Sequence, residues 1–282
     1  MSLIVADSGC DLRTQEVRVP FARVPLRIVV GGTEYEDKES LDIRAMMDHV
    51  YAFNGKTGTA CPGPGEWAHC FRQDRECYAL PISKGVSGSY DSAMIARDLV
   101  LEEDPTRKIH IIDARTAGPG MDLIAEKLQE LIESGLPFEE ICQQVDAYAC
   151  HSDLLFLLNS LENFVKNGRI SRVAGVTAKL LGIKILGAPS PAGELALLHK
   201  CRGKARAFDT VMSELELRGY QGGKMIIGHA FQPGDAAAMR QRVLERWPGA
   251  QVEVLAMSGL CCYYAEEGGV LFGFERESER PQ

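Results

Sequence analysis

The side chains able to do chemistry fall in a few short polar segments. Ser83, Ser87 and Ser89 sit in the glycine-rich stretch Ser83-Lys84-Gly85-Val86-Ser87-Gly88-Ser89, which leads into a helical pattern. A serine there is a nucleophile if a base lies within about 3 Å, or a helix cap if it accepts a backbone N–H. The Gly85-Val86-Ser87-Gly88 spacing is not the Gly-x-Ser-x-Gly of a nucleophile elbow, which favours the cap. Asp7 and Asp113 each follow an apolar run. Two carboxylates invite acid–base work, but turn and cap duties are the simpler reading. Gly118-Pro119-Gly120 makes a poor phosphate loop, because Pro119 lacks a backbone donor. Arg169, following Asn167-Gly168, reads either as a site cation or as a surface residue. His69-Cys70 and Cys77 lack metal-ligand spacing, and His229 follows an apolar run where a structural role is expected. No metal or cofactor is expected.

These residues need a frame to bring them together. With 282 residues, 45% of them hydrophobic, the chain can build two cores of ordinary size. The formal net charge of −8, with no offsetting basic run, argues against nucleic acid or an anionic membrane face as the main partner. Nine cysteines, an odd number without C-x-x-C spacing, fit reduced thiols in a cytoplasmic protein. No stretch approaches the ~20 consecutive apolar residues of a transmembrane helix, and no signal peptide is expected at the start.

The first half alternates strands and helices. Strands are expected at 2–6, at 24–30 as one run closed by Gly31-Gly32, at 78–82 and at 108–112. Ile43, Met46, Met47 and Val50 repeat at helical spacing, with Ser40 as the expected N-cap. Further helices are expected over 89–101, around Leu123 to Ile132, and over 138–148. Alternation of this kind implies crossovers and a mostly parallel sheet, with ligands beyond the carboxyl ends of the strands. Asp7-Ser8, Ser83 to Ser89 and Asp113 to Gly120 all follow strands and should gather at that edge.

The second half has another rhythm. Strands are expected at 154–158, 183–186, 194–198, 225–227, 252–255 and 270–274, with helices over 161–166, 205–218 and 235–247. The expected fold class is therefore α/β, with a mostly parallel-sheet N-terminal domain (1–152) and a second, α+β C-terminal domain (153–282).

An ordered set of segments resembles the DegV family of bacterial fatty-acid-binding proteins. Asp7-Ser8-Gly9-Cys10-Asp11-Leu12 resembles its opening Asp-Ser-x-x-Asp-Leu. Val24-Pro25-Leu26, Tyr35-Glu36-Asp37 and Thr59-Ala60-Cys61-Pro62 resemble the signatures that follow. Ser83 to Tyr90 is similar to Ser-Ser-x-Leu-Ser-Gly-Thr-Tyr, and Asp113-Ala114-Arg115 with Gly118-Pro119-Gly120 matches the next block. Gly168-Arg169-Ile170-Ser171, Ile183-Lys184, Gly193-Glu194-Leu195 and Arg202-Gly203-Lys204 match in the second half.

The resemblance implies a carrier that encloses a long-chain fatty acid between domains. It implies that the carboxylate is presented to a separate fatty acid kinase subunit and that no catalysis is intrinsic. A buried carboxylate needs donors or a cation. By match to the family's motifs, Thr59 and Arg169 are the leading candidates, with Ser83 and Ser87 beside them. Lys84 replaces a family serine, and reads either as a partner for carboxylate or phosphate or as a solvated loop charge. The family's His-x-Gly-Pro-Gly segment is Ala265-Glu266-Glu267-Gly268-Gly269 here, so Ala265 replaces its histidine. Tyr263 or Tyr264 is a candidate for a substitute hydroxyl. The competing readings are a small-molecule hydrolase or transferase using Ser87 or Asp113, and a lipid-sensing regulator.

Overall fold

The computed structural model describes residues 2–170 and 182–277. Ser171, the last residue of the Gly168-Arg169-Ile170-Ser171 segment, lies outside them. The first half contains β1 (Ser2–Asp7), β2 (Phe21–Val24), β3 (Arg27–Val30), β4 (Thr33–Glu36), α1 (Ile43–Ala52), β5 (Thr57–Ala60) and α2 (Pro64–Phe71). It continues with β6 (Glu76–Leu80), α3 (Ser89–Glu103), β7 (Lys108–Ile111), α4 (Pro119–Glu133) and α5 (Phe138–Cys150). Four strands form a parallel sheet in the order β2-β1-β6-β7. The crossovers bury apolar helix faces such as Ala93, Ala96 and Val100 of α3, which explains the helical spacing seen in the sequence.

Two expectations are corrected here. The run 24–30 is two strands in two sheets, not one. Pro25 has no N–H for a ladder, and Leu26 donates its N–H to Ser8 Oγ at 3.0 Å instead of to a neighbouring strand. The chain turns there into a separate antiparallel sheet, β4-β3-β5. The N-cap of α1 is Asp42, not Ser40: its carboxylate accepts the Ala45 N–H at 3.0 Å.

The second half contains β8 (Ser152–Leu158), α6 (Glu162–Lys166), β9 (Ile183–Pro189), β10 (Leu195–Arg202) and α7 (Lys204–Leu217). β11 (Lys224–His229), α8 (Pro233–Arg246), β12 (Gln251–Ala256), α9 (Gly259–Ala265) and β13 (Val270–Glu275) complete it. Six strands form a mixed sheet, β10-β9-β8-β13-β11-β12, parallel only between β11 and β12. β8 is apolar and buried on both faces. Leu155 and Leu157 enter one core, with α7 and α8, while Leu154, Phe156 and Leu158 enter another on the opposite face. Such a strand shows no alternation in sequence, because both of its faces are dry.

The two halves interlock. α4 packs against β1 on one side and against β8, β11 and β13 on the other, and α9 returns to pack on α1 and β3. Among the described residues no helix is long and apolar enough to cross a membrane.

Candidate functional site

A cavity of about 300 Å³ lies where the halves meet. Its apolar wall is the inner face of the mixed sheet: Leu154, Phe156 and Leu158 of β8, Leu195 of β10 and Leu271 of β13. Leu26, Ile82 and Leu260 close it from the N-terminal half and α9. The lining turns polar at Thr59, Ser87, Arg169 and Tyr264, and the Arg169 charge acts on the Tyr264 hydroxyl that meets Thr59. That combination of an apolar body and a few convergent polar groups suits an amphiphilic ligand.

The polar end is built by four elements. Thr59, near the end of β5, meets Tyr264 of α9: the two hydroxyl oxygens are 2.7 Å apart. The Tyr264 ring stacks on Phe164 of α6, with centroids 4.7 Å apart, which fixes where its hydroxyl points. Burial pushes the Tyr264 hydroxyl up from its ordinary range despite the Thr59 hydrogen bond. The phenol therefore stays protonated and able to donate. The neighbouring Tyr263 is committed elsewhere, with its hydroxyl 2.7 Å from Thr57 Oγ1 and accepting from Asn167 Nδ2 at 2.9 Å. Of the two candidate tyrosines, only Tyr264 lines the cavity, and Ala265 lines it beside Tyr264.

Arg169 is half-buried and lies just after α6. Its Nε donates to the Val86 carbonyl at 3.2 Å and its Nη1 to the Asn167 carbonyl. Among the described residues no carboxylate lies within 4.0 Å of the guanidinium and Nη2 has no hydrogen-bond partner. A cation anchored by two carbonyls, with donor capacity left over beside an apolar cavity, suits an anionic head group.

The structure brings Thr59, Ser87 and Arg169 to one cavity. Ser87 Oγ accepts the Ser89 N–H at 3.2 Å, a local turn contact, and no imidazole or carboxylate hydrogen-bonds to it among the described residues. Ser83 is placed differently. Buried, it donates to the Gly193 carbonyl at 2.8 Å and accepts from the Gly85 N–H at 3.2 Å, tying its loop to the β9–β10 turn, and it does not line the cavity. Lys84 points to Asp113, at 3.0 Å, and its side chain is 49% exposed, so this charge is already paired outside the cavity. Asp7 accepts from the N–H groups of Gly9 and Ile82, both at 2.9 Å, and from Ser89 Oγ at 2.6 Å, a cap and turn role. Burial raises its carboxyl to about 6. No group of three or more potential metal ligands occurs among the described residues.

Sequence reasoning missed Phe164 and the β8 face as lining, and it left Tyr264 level with Tyr263. The spacing of Leu154, Phe156 and Leu158 was visible, but a run apolar at every position does not say which face is hollow.

Comparison with known proteins follows the same geometry. The family model described as "Uncharacterised protein, DegV family" matches residues 2–276. A DegV domain-containing protein of Streptococcus pneumoniae is 39% identical over 275 residues, covering 96% of this chain and 98% of its own. The Fatty Acid Kinase (Fak) B3 protein of Streptococcus pneumoniae, solved loaded with linoleic acid, superposes with a TM-score of 0.95 at 38% identity, over 98% of this chain and 99% of that one. A DegV family protein from Eubacterium eligens loaded with heptadecanoic acid gives 0.94 at 38% identity, over 98% and 100%. Family match, near-complete coverage and shared topology lead to one conclusion: the chain belongs to the DegV family.

Proposed function

We propose that this chain is a carrier that encloses one long-chain fatty acid and presents its carboxylate to a separate kinase subunit in the cytoplasm. The tail occupies the apolar cavity, where burial is worth about 0.8 kcal/mol per methylene. The carboxylate sits at the polar end, taking a hydrogen bond from the Thr59–Tyr264 hydroxyl pair, in which one hydroxyl donates to the other and the second donates to the ligand, and charge from Arg169, with Ser87 at the rim. Ser83 supports the loop that carries Ser87, and Lys84 stays outside. We read the chain as two domains divided near residue 152, with the ligand between them.

The observation that carries this reading is the cavity of about 300 Å³ whose mostly apolar lining holds a hydroxyl pair and a guanidinium without a carboxylate partner among the described residues. The loaded state of the Fak B3 protein supports both the ligand class and the kinase partner. Reading Ser87 as a hydrolase nucleophile has no comparable support, since among the described residues its Oγ meets the Ser89 N–H and no base.

The test is native mass spectrometry of the purified protein, before and after delipidation and re-addition of fatty acid. A retained mass equal to one acyl chain is expected. No uptake after re-addition refutes the carrier. Phosphorylation of the bound acid by a fatty acid kinase subunit then separates a kinase carrier from a lipid sensor.

A further inference from the structure

The carboxylate site depends on a helix too short to orient itself. α9 has seven residues, fewer than an isolated helix needs to be stable. Its first N–H groups have no partner inside the helix. The first three of them go to two carboxylates of the N-terminal half. Ser258 N donates to Asp11 Oδ1 at 2.8 Å, Gly259 N to Asp37 Oδ1 at 2.9 Å, and Leu260 N to Asp37 Oδ2 at 2.8 Å. Asp37 therefore uses both oxygens on α9, from more than 200 positions away in sequence.

Asp37 is 1% exposed, and burial raises its carboxyl above the ordinary range. Burying a carboxylate is costly unless each oxygen is satisfied. The fit is close: a Cβ on Gly259 would stand 2.6 Å from Asp37 Oδ1. Glycine at 259 is what lets the carboxylate reach the helix start.

Five residues further on, about 7.5 Å along the axis, Tyr264 reaches Thr59. That contact is 2.7 Å, and a separation beyond 3.5 Å is no longer a hydrogen bond, so a displacement of about 0.8 Å breaks it. The far half of α9 has its own ties through Tyr263, to Thr57 and to Asn163 Nδ2. Loss of the Asp37 anchor therefore tilts the helix and does not release it.

We infer that Asp37, with Asp11 beside it, is a positioning residue for the carboxylate-binding hydroxyl, holding the start of α9 so that Tyr264 meets Thr59. The inference rests on the head-group role proposed above for Thr59 and Tyr264. Asp37 touches no ligand; it acts through the helix.

The test compares a long-chain fatty acid with its methyl ester, which has the same tail without the charge. Affinities for both are measured for wild type, Asp37→Asn, Tyr264→Phe and the double variant. Wild type is expected to prefer the acid. Tyr264→Phe lowers that preference by about fivefold, the scale of one hydrogen bond. Asp37→Asn presents a donor to an N–H, lowers the preference by a similar factor and leaves ester affinity unchanged. The double variant is no worse than either single, because both remove one contact.

Equal losses for acid and ester in Asp37→Asn, or full additivity with Tyr264→Phe, would overturn the inference while the head-group reading stands. A wild type without preference for the acid would sink the head-group reading and the inference with it. If Asp37→Asn does not fold, Gly259→Ala carries the same comparison, since it crowds the carboxylate without removing it.

Discussion

Removing the Arg169 guanidinium tests the site at its most polar point. In Arg169→Ala the cavity loses its cation and Val86 and Asn167 lose a donor to their carbonyls. A hydrogen bond to a charged group is worth about 1.5–3 kcal/mol. The side chain is half-buried, so solvent screening places the value near the middle of that range. About 2 kcal/mol corresponds to roughly 30-fold in Kd at 1.4 kcal/mol per decade. Part of any loss will come from the loosened loop instead of the missing charge. The methyl ester separates the two, because loop damage weakens ester and acid alike. The assay is displacement of a fluorescent fatty acid from delipidated protein at two salt concentrations. The expected result is an acid-specific loss of roughly 30-fold, with wild-type affinity for the acid falling more steeply with salt than that of Arg169→Ala. Acid affinity within twofold of wild type, or matched losses for acid and ester, would refute the assignment of Arg169 as the charge partner.

Ser83→Ala should cost about 1 kcal/mol of stability in chemical denaturation, by orphaning the Gly193 carbonyl, while fatty-acid affinity stays unchanged; an affinity loss without destabilisation would place Ser83 on the ligand. Gly187→Ala should reshape the cavity wall, because a Cβ there would lie 2.2 and 2.3 Å from ring atoms of Phe156 and 2.5 Å from the Ala196 carbonyl oxygen of the paired strand, so that the Phe156 ring must move. Titration with saturated acids of increasing length should show about fourfold loss for each methylene denied burial, whereas a uniform loss across lengths would show that the ring does not limit the chain. Asp7 has its carboxyl raised from 3.8 to about 6 by burial. A carboxyl raised in the fold favours folding when protonated, so that stability is present in full below 3.8 and is lost as pH rises through about 6. Relative to Asp7→Asn, wild-type unfolding free energy should fall by about 2.5 kcal/mol between pH 3.8 and pH 7, and a parallel pair of pH profiles would contradict the burial argument.

Local rules made much of this protein legible. Apolar runs closed by polar turn residues located β1, β6 and β7, and helical spacing located α3 to α5, within a few residues; β1 and β6 are buried on both faces and so read as runs without alternation. Strand–helix alternation gave the parallel sheet, and the rule that ligands lie beyond strand ends brought the segment around Ser87 to the site. The β4-β3-β5 sheet escaped because Thr57–Ala60 is short and not apolar, and its strand character comes from pairing with β3. α9 escaped because Gly259 to Ala265 is buried almost all round and shows no polar face.

What the sequence determined by itself was the inventory: a hydroxyl at 59, a cation at 169, tyrosines at 263 and 264, and elements able to carry them. Only the tertiary structure decided how these are used. It paired Thr59 with Tyr264 across 205 positions and sent Tyr263 to Thr57. It also spent Ser83 on a backbone carbonyl and Lys84 on Asp113. The physical reason is that element formation is governed by neighbours a turn or a strand apart. A cavity and its polar end are instead set by which remote surfaces pack, and by which donors that packing leaves without partners.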